Sequence, residues 1–394
     1  PGTSPKGNNL SLAKGGITSV FLPTSVPAPA CPLTDLRIMS LSQLESVSLP
    51  VDFHAFDDII DVRTPLEFEE DHLPGARNLP VLTNEQRVEV GTLYRQSPFR
   101  ARKLGARYVS ESISTHLAGP LSEHQPGWNP LVYCWRGGQR SAALATVLRS
   151  IGWRARTLEG GYKAYRRYVM GELGRQLSDS TLRFRIISGL TGVGKTRLLE
   201  TLQTKGLQVI DLEAMANHRG SLLGSTGTQP TQRQFENRLH QALSRLDLAR
   251  PVFAEAESSR IGNVYLPPAL WQKFSCSQVI EITMPISERV RLLLEDYRHF
   301  LENPETLSGL LDPLSKLRGR ARVQEWQALI TKGAWPEFVT SVLENHYDLC
   351  YRRPGSSESN YQVPVKQLSL PDCSPESYLE VASQLEEFGE SPAS

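Results

Sequence analysis

The sequence predicts two successive α/β domains, each built on a parallel sheet, and three observations carry that expectation. Residues 131–141, LVYCWRGGQRS, run an apolar strand into a cysteine, a glycine-rich turn and the start of a helix. Residues 184–196, FRIISGLTGVGKT, repeat the strand–loop–helix order, and Gly189, Gly194, Lys195 and Thr196 fit the phosphate-loop pattern G-x-x-x-x-G-K-[ST]. At 394 residues the chain is long enough to bury two cores.

Composition excludes several classes. With 43 basic against 42 acidic residues, the chain is not a grossly basic nucleic-acid binder, although local patches remain open. Five cysteines, at 31, 134, 276, 350 and 373, make no C-x-x-C pair and no zinc spacing with histidine, so no metal-ligating cluster is expected. Their odd number argues against a disulfide framework and fits a reducing, cytoplasmic setting. No apolar run approaches the roughly 20 residues of a membrane span.

Residues 1–34 are rich in Pro, Ser, Thr and Gly, carry no acid before Asp35, and read as a disordered tail. An organelle transit peptide shares that composition, but arginine is absent before Arg37. The first domain is expected over 35–175. Within it AFDDIIDVR gives a short buried strand, Ile59 to Val62, with Asp61 and Arg63 at its end, Glu67 and Phe68 begin a short helix, and LPGARNLP supplies a turn and the next strand. Residues 91–110 then bring together Arg95, Arg100, Arg102, Lys103 and Arg107, interleave Tyr94, Phe99 and Tyr108, and contain no acid. Such a mixture can contact a phosphate backbone and stack a base, or it can be a solvated helix face.

The turn after Cys134 has to be tight. Gly137 and Gly138 let successive backbone N–H groups point inward, and the following helix adds the positive end of its dipole, so the hollow favours an anion. A thiolate is such an anion: a free cysteine titrates at about 8.5 and lower beside a helix N-terminus and cations, so Arg136 and Arg140 should favour ionised Cys134. The plainer alternative is a core cysteine. Leu144, Val147, Leu148 and Ile151 share one face of the helix, and Gly152 ends it. From 149 to 175 basic residues outnumber acids, and Arg166 and Arg167 join the candidates for RNA contact. Residues 176–182 read as a linker.

The second domain is expected over 183–373. Gly189, Gly192 and Gly194 allow backbone amides to wrap phosphate oxygens, Lys195 adds a point charge, and the Thr196 hydroxyl can hold a Mg²⁺. The motif specifies a phosphate and leaves its owner open. LQVIDLE, PVFAEAE and SCSQVIEITMP read as strands, and Glu255 and Glu257 close the second of them, either as an acid pair near the phosphate site or as surface acids. ISERVRLLLEDY reads as a helix with Val290, Leu293, Leu294 and Tyr297 on one face, and Lys316, Arg318, Arg320 and Arg322 form a further basic cluster. Residues 374–394, acidic and serine-rich, are expected to be a flexible tail.

The cysteine loop, together with DVRTPLEFEEDHLPGARNLP at 61–80, resembles a rhodanese-type sulfurtransferase domain, in which such a cysteine carries a transferable chalcogen. TLEGGYKAYRRY at 157–168 resembles its last strand and closing helix, with Gly160 and Gly161 at the rim of the site, and the resemblance makes Asp61 and Arg63 structural. The chain departs from the pattern at Asp71, where glycine is usual, a difference expected to alter a turn and not the chemistry. Five residues separate Cys134 from Arg140, a spacing shared with cysteine phosphatases of the same fold, so loop length leaves sulfur, selenium and phosphate chemistry open.

With the phosphate loop, HRGS, QPTQ, FEN and a late HYD added, the order of motifs across 50–352 is similar to the tRNA 2-selenouridine synthase family. The resemblance implies an N-terminal rhodanese-like domain followed by a P-loop NTPase-like parallel-sheet domain. It also implies a transferase that replaces sulfur by selenium in 2-thiouridine at the tRNA wobble position, with selenophosphate as donor and an S-geranyl intermediate made from geranyl diphosphate. Both are co-substrates, so no permanently bound cofactor is expected. Segments 95–107, 149–175 and 316–322 would contact tRNA. Two other classes remain: a sulfurtransferase with an ATP- or GTP-binding P-loop domain, and a C-x5-R phosphatase.

Overall fold

The structure, a computed structural model, describes residues 45–218, 227–351 and 361–390. The tail expected over 1–34, and Arg219, Gly220 and Ser221 of the HRGS run, lie outside them. Two five-stranded parallel sheets follow one another along the chain, as the motif order predicts.

The first sheet comprises β1 (Ser46–Val47), β2 (Asp58–Asp61), β3 (Ala76–Asn78), β4 (Pro130–Tyr133) and β5 (Arg156–Leu158), in the order β1-β5-β4-β2-β3. β4 lies at its centre and is buried throughout, the signature of a parallel strand covered on both faces. Helix α1 (Pro65–Glu70) starts on a capping box between Thr64 and Glu67 with proline at its first turn. Helices α2 (Asn84–Gln96) and α3 (Pro98–Ala118) form a hairpin, and α4 (Gln139–Ile151) follows the cysteine loop. Leu144 and Leu148 are buried as their spacing predicts, but Ile151 is exposed, because the last turn runs past the core to its stop at Gly152.

The expected linker does not begin at 176. Helix α5 (Gly161–Ser178) carries its buried stripe of Tyr165, Val169, Leu173 and Leu177 into a core that includes Leu182 and Phe184, so one apolar cluster spans both domains. Polar contacts reinforce this joint between α1 with its following turn and helix α8 (Gln232–Ser244). Gln234 donates to the carbonyl of Glu69 at 2.8 Å, Asn237 donates to that of His72 at 3.1 Å, and Arg233 pairs with Glu70 at 2.7 Å. Asp71 therefore does more than reshape a turn: its buried carboxylate accepts from the Tyr162 hydroxyl at 2.8 Å, and Tyr162 follows Gly161 on the wall of the cysteine loop.

The second sheet comprises β6 (Phe184–Ser188), β7 (Gln208–Ile210), β8 (Val252–Glu255), β11 (Gln278–Thr283) and β12 (Lys366–Ser369), in the order β12-β11-β6-β8-β7, with β9 (Arg260–Ile261) and β10 (Val264–Tyr265) as a separate hairpin. Helix α6 (Lys195–Thr204) follows the phosphate loop, α7 (Leu212–Ala216) follows β7, α9 (Pro268–Ser275) precedes β11, and α10 (Ile286–Asp296) leaves it. Between β11 and β12 the chain builds a helical lobe from α10 onward: α11 (Arg298–Glu302), α12 (Pro304–Leu311), α13 (Ser315–Arg318), α14 (Arg320–Thr331), α15 (Trp335–Val342), a π-helical turn at Leu343–Tyr347 and α16 (Asp348–Tyr351). Its core centres on fully buried Trp326.

Where the flexible tail is expected over 374–394, residues Pro375–Glu390 instead form helix α17, which packs on α6 through Tyr378, Val381, Ala382 and Leu385, and residues 391–394 lie outside the described residues. Exposed Glu376, Glu380 and Glu387 mask, in composition, an apolar stripe at helical spacing.

Candidate active site

Two centres occupy the C-terminal edges of the two sheets, where loops between parallel strands and helices expose backbone amides. In the first, β4 delivers Cys134 to the floor of its loop, where the residue is only 4% exposed. Its surroundings are nevertheless polar. The Gly138 amide donates to Sγ at 3.2 Å and the Ser141 hydroxyl donates at 3.3 Å. Burial pushes the thiol up, but the hydrogen bonds of Ser141 and of the Arg136 amide, with the charge of Arg140, outweigh burial and leave it below its ordinary value.

The loop is clamped from below by α5, whose Tyr162 and Lys163 amides donate to the carbonyls of Cys134 at 2.8 Å and Trp135 at 2.9 Å. Gly161, at φ 56, sits where a side chain would collide with the Cys134 carbonyl, which explains a glycine at the rim. Arg136 is exposed, and Arg140 departs from its expected part. Its guanidinium is committed to Glu67 on α1 at 2.8 and 3.3 Å, so it favours the thiolate by charge at a distance while tying α4 to α1. Asp61 and Arg63 form a fully buried ion pair at 2.6 Å, and Arg63 also donates to the Asp71 carbonyl, a structural role as expected.

In the second centre, Gly189 to Thr196 link β6 to α6. Gly194 adopts φ 74 with the Tyr378 ring of α17 packed where a side chain would stand, so the supposed tail supports the phosphate loop directly. Lys195 Nζ lies 2.9 Å from the Gly189 carbonyl. Arg289 on α10 donates to the carbonyl of Thr191 at 2.8 Å and is itself held by Asp348 at 2.6 and 3.0 Å, a nearly buried ion pair. That is the work of the aspartate in the HYD run, whose role the sequence does not reveal.

Glu255 is buried and Glu257 half-buried, which removes the surface-acid alternative for the pair. With Glu213, unnoticed in the sequence, they place carboxylate oxygens within 4.8 Å of one another beside the loop. Burial, and then Glu213 and Glu257, hold Glu255 well above the usual carboxylate range, and burial with Glu213 pushes Glu257 up to about 8. One buried oxygen of Glu255 has no hydrogen-bond partner, and three converging acids of this kind suit a divalent cation. A Mg²⁺ ion would be held by these acids, with Thr196 on the same cavity wall, and would supply positive charge next to a bound phosphate.

The basic candidates divide. Arg95, Arg100, Arg102, Lys103 and Arg107 are exposed on the α2–α3 hairpin beside exposed Tyr94 and Phe99, although Arg107 also faces Glu111 at 3.6 Å. Arg167 is exposed next to Gly160. Arg166 is withdrawn from the set, because its guanidinium pairs with Glu236 across the domain joint. Arg318 is likewise internal, bonded to His346 and Cys350. Ser141 and Glu213 had a legible clue only in position, one at the first turn of the loop helix and one just after a strand end.

Residues 49–168 match the rhodanese-like domain, and residues 182–365 match the tRNA 2-selenouridine synthase AAA domain. The chain is 38% identical over 252 residues to the tRNA 2-selenouridine synthase of Nitrosomonas europaea, covering 62% of this chain and 64% of that protein. It is 37% identical over 339 residues to the enzyme of that name from Hydrogenovibrio crunogenus, covering 79% of this chain and 91% of that protein. For that of Marinobacter nauticus the identity is 32% over 312 residues, covering 73% and 83%. Among the described residues no helix is long and apolar enough to cross a membrane.

Proposed function

The chain belongs to the tRNA 2-selenouridine synthase family, and from that premise we propose that it exchanges sulfur for selenium in 2-thiouridine of tRNA, using the Cys134 loop for selenium and the phosphate loop for geranyl diphosphate. The observation that carries this reading is the Cys134 sulfur itself, buried yet faced by the Ser141 hydroxyl and the Gly138 amide, donors that hold the thiol below its ordinary value. A purely structural cysteine needs no such donors.

The chemistry divides into two balanced steps. Geranyl transfer forms an S–C bond on the thiouridine and breaks the C–O bond to the diphosphate, and the proton on N3 is lost. Lys195 and the loop amides stabilise the departing diphosphate. Alkylation makes sulfur a better leaving group. In the exchange a C2–Se bond replaces the C2–S bond, geranyl thiol leaves, and water takes the phosphoryl group of selenophosphate as phosphate. No oxidant or reductant is consumed. The anion hollow of the loop suits the phosphate of selenophosphate: the Cys134 thiolate attacks its phosphorus, the P–Se bond breaks to release selenide for attack on C2, and water hydrolyses the resulting S-phosphocysteine to phosphate. The tRNA lies against the α2–α3 hairpin, through Arg95, Arg100, Arg102, Lys103 and Arg107, and against Arg167.

The test is nucleoside mass spectrometry of tRNA from cells that express the chain and are fed selenium. The parent should yield 2-selenouridine, and Cys134→Ser should yield none while still binding tRNA. Normal selenation by that variant would overturn the assignment.

A further inference from the structure

The helical lobe contains an apolar cavity that opens beside the phosphate loop. Its walls come from Leu293 and Tyr297 of α10, Leu311 of α12, and Trp335 and Phe338 of α15, with Tyr347 of the π-helical turn. Thr191, Leu293, Tyr297 and Tyr347 line both this cavity and the phosphate-loop cavity, so the two adjoin. Apart from Thr191 and the two tyrosines, every lining side chain is a hydrocarbon or Trp335.

That pairing selects a class of ligand. A nucleotide needs polar partners for its base and ribose, and ligand sites supply them as a few placed donors and acceptors. This cavity supplies a hydrocarbon surface instead, directly next to amides and a lysine built for a diphosphate. We propose that the cavity holds the hydrocarbon chain of an allylic diphosphate and that its far end, at Leu311 and Phe338, sets the accepted chain length. The inference rests on the reading of the phosphate loop as a geranyl diphosphate site and deepens it by assigning the chain its own subsite. Phe338 and Leu311 line the apolar cavity but not the phosphate-loop cavity, so substitutions there act on the tail and leave the diphosphate contacts in place.

Each buried methylene contributes about 0.8 kcal/mol of transfer free energy, so losing even two costs roughly tenfold in affinity. Titration calorimetry of the full chain with geranyl diphosphate, inorganic diphosphate and ATP separates the outcomes. The subsite requires geranyl diphosphate to bind at least tenfold more tightly than inorganic diphosphate. It also requires Leu311→Trp to erase that difference without weakening inorganic diphosphate. Phe338→Ala should raise the preference for the C15 over the C10 diphosphate at least tenfold, a gain that a misfolded variant cannot mimic. Equal affinity for geranyl and inorganic diphosphate in the parent would overturn the subsite while leaving the phosphate loop a diphosphate site. An unchanged chain-length preference in Phe338→Ala would overturn the assignment of the far end. Tighter binding of ATP than of either diphosphate would overturn the geranyl diphosphate reading on which the inference rests.

Discussion

Ser141→Ala removes one hydroxyl from a fully buried position and, with it, one of the donors to the Cys134 sulfur. The hydroxyl lies 3.3 Å from Sγ and 3.1 Å from the Gly138 carbonyl, and its single proton serves the sulfur best when that sulfur is ionised. A hydrogen bond to a charged group is worth about 1.5–3 kcal/mol. Below the titration midpoint that corresponds to roughly a ten- to hundredfold loss of thiolate at fixed pH. The sign follows from the net effect at Cys134, where these donors hold the thiol below its ordinary value. The thiolate is populated above the folded-state midpoint, so removing a donor moves the rise in reactivity to higher pH. The assay is the rate of iodoacetamide modification at Cys134 as a function of pH, read by peptide mass spectrometry. Ser141→Thr, which keeps a hydroxyl, should retain the parental profile if the larger side chain is accommodated. A Ser141→Ala profile that coincides with the parent, or moves to lower pH, would refute the reasoning.

Two further outcomes are expected. Replacing Arg100, Arg102 and Lys103 together with alanine should weaken tRNA binding and flatten its log–log salt dependence by about one unit per lost phosphate contact, and an unchanged slope would return these exposed residues to a solvated face. Truncation after Ser374 removes the helix that buries Tyr378, Val381 and Leu385. At about 1.5–3 kcal/mol per buried side chain, an upper estimate, that loss rivals the whole stability of a domain, so the truncated chain should lose its cooperative thermal transition in the second domain.

What the sequence reveals follows from how local each signal is. Both loops were legible because strand, turn glycines and helix are contiguous, and Asp61 with Arg63 because the pair spans three residues. The role of Asp71 was not, because its partner Tyr162 is 91 positions away and the interface it borders comes from the second domain. For Arg166 and Arg318 the sequence offers charge alone, and only tertiary structure distinguishes a cation facing solvent from one paired across a domain joint or bonded to His346. Glu213 joined Glu255 and Glu257 only once the ends of neighbouring strands were brought together. At the C-terminus composition masks periodicity: acids and serines dominate the stretch, while Tyr378, Val381, Ala382 and Leu385 recur at helical spacing and are buried.

The central claim is that each domain performs one half-reaction, and it is tested most directly by chromatography of nucleosides from thiouridine tRNA incubated with two variants. Lys195→Ala removes a charge from the departing diphosphate, a loss of roughly 10²–10³ in rate for one such donor. It should therefore fail to geranylate, yet convert a tRNA supplied already geranylated to selenouridine. Cys134→Ser should accumulate the geranylated tRNA in the presence of selenophosphate. Geranylation at the parental rate by Lys195→Ala, or its loss in Cys134→Ser, would contradict the division of labour.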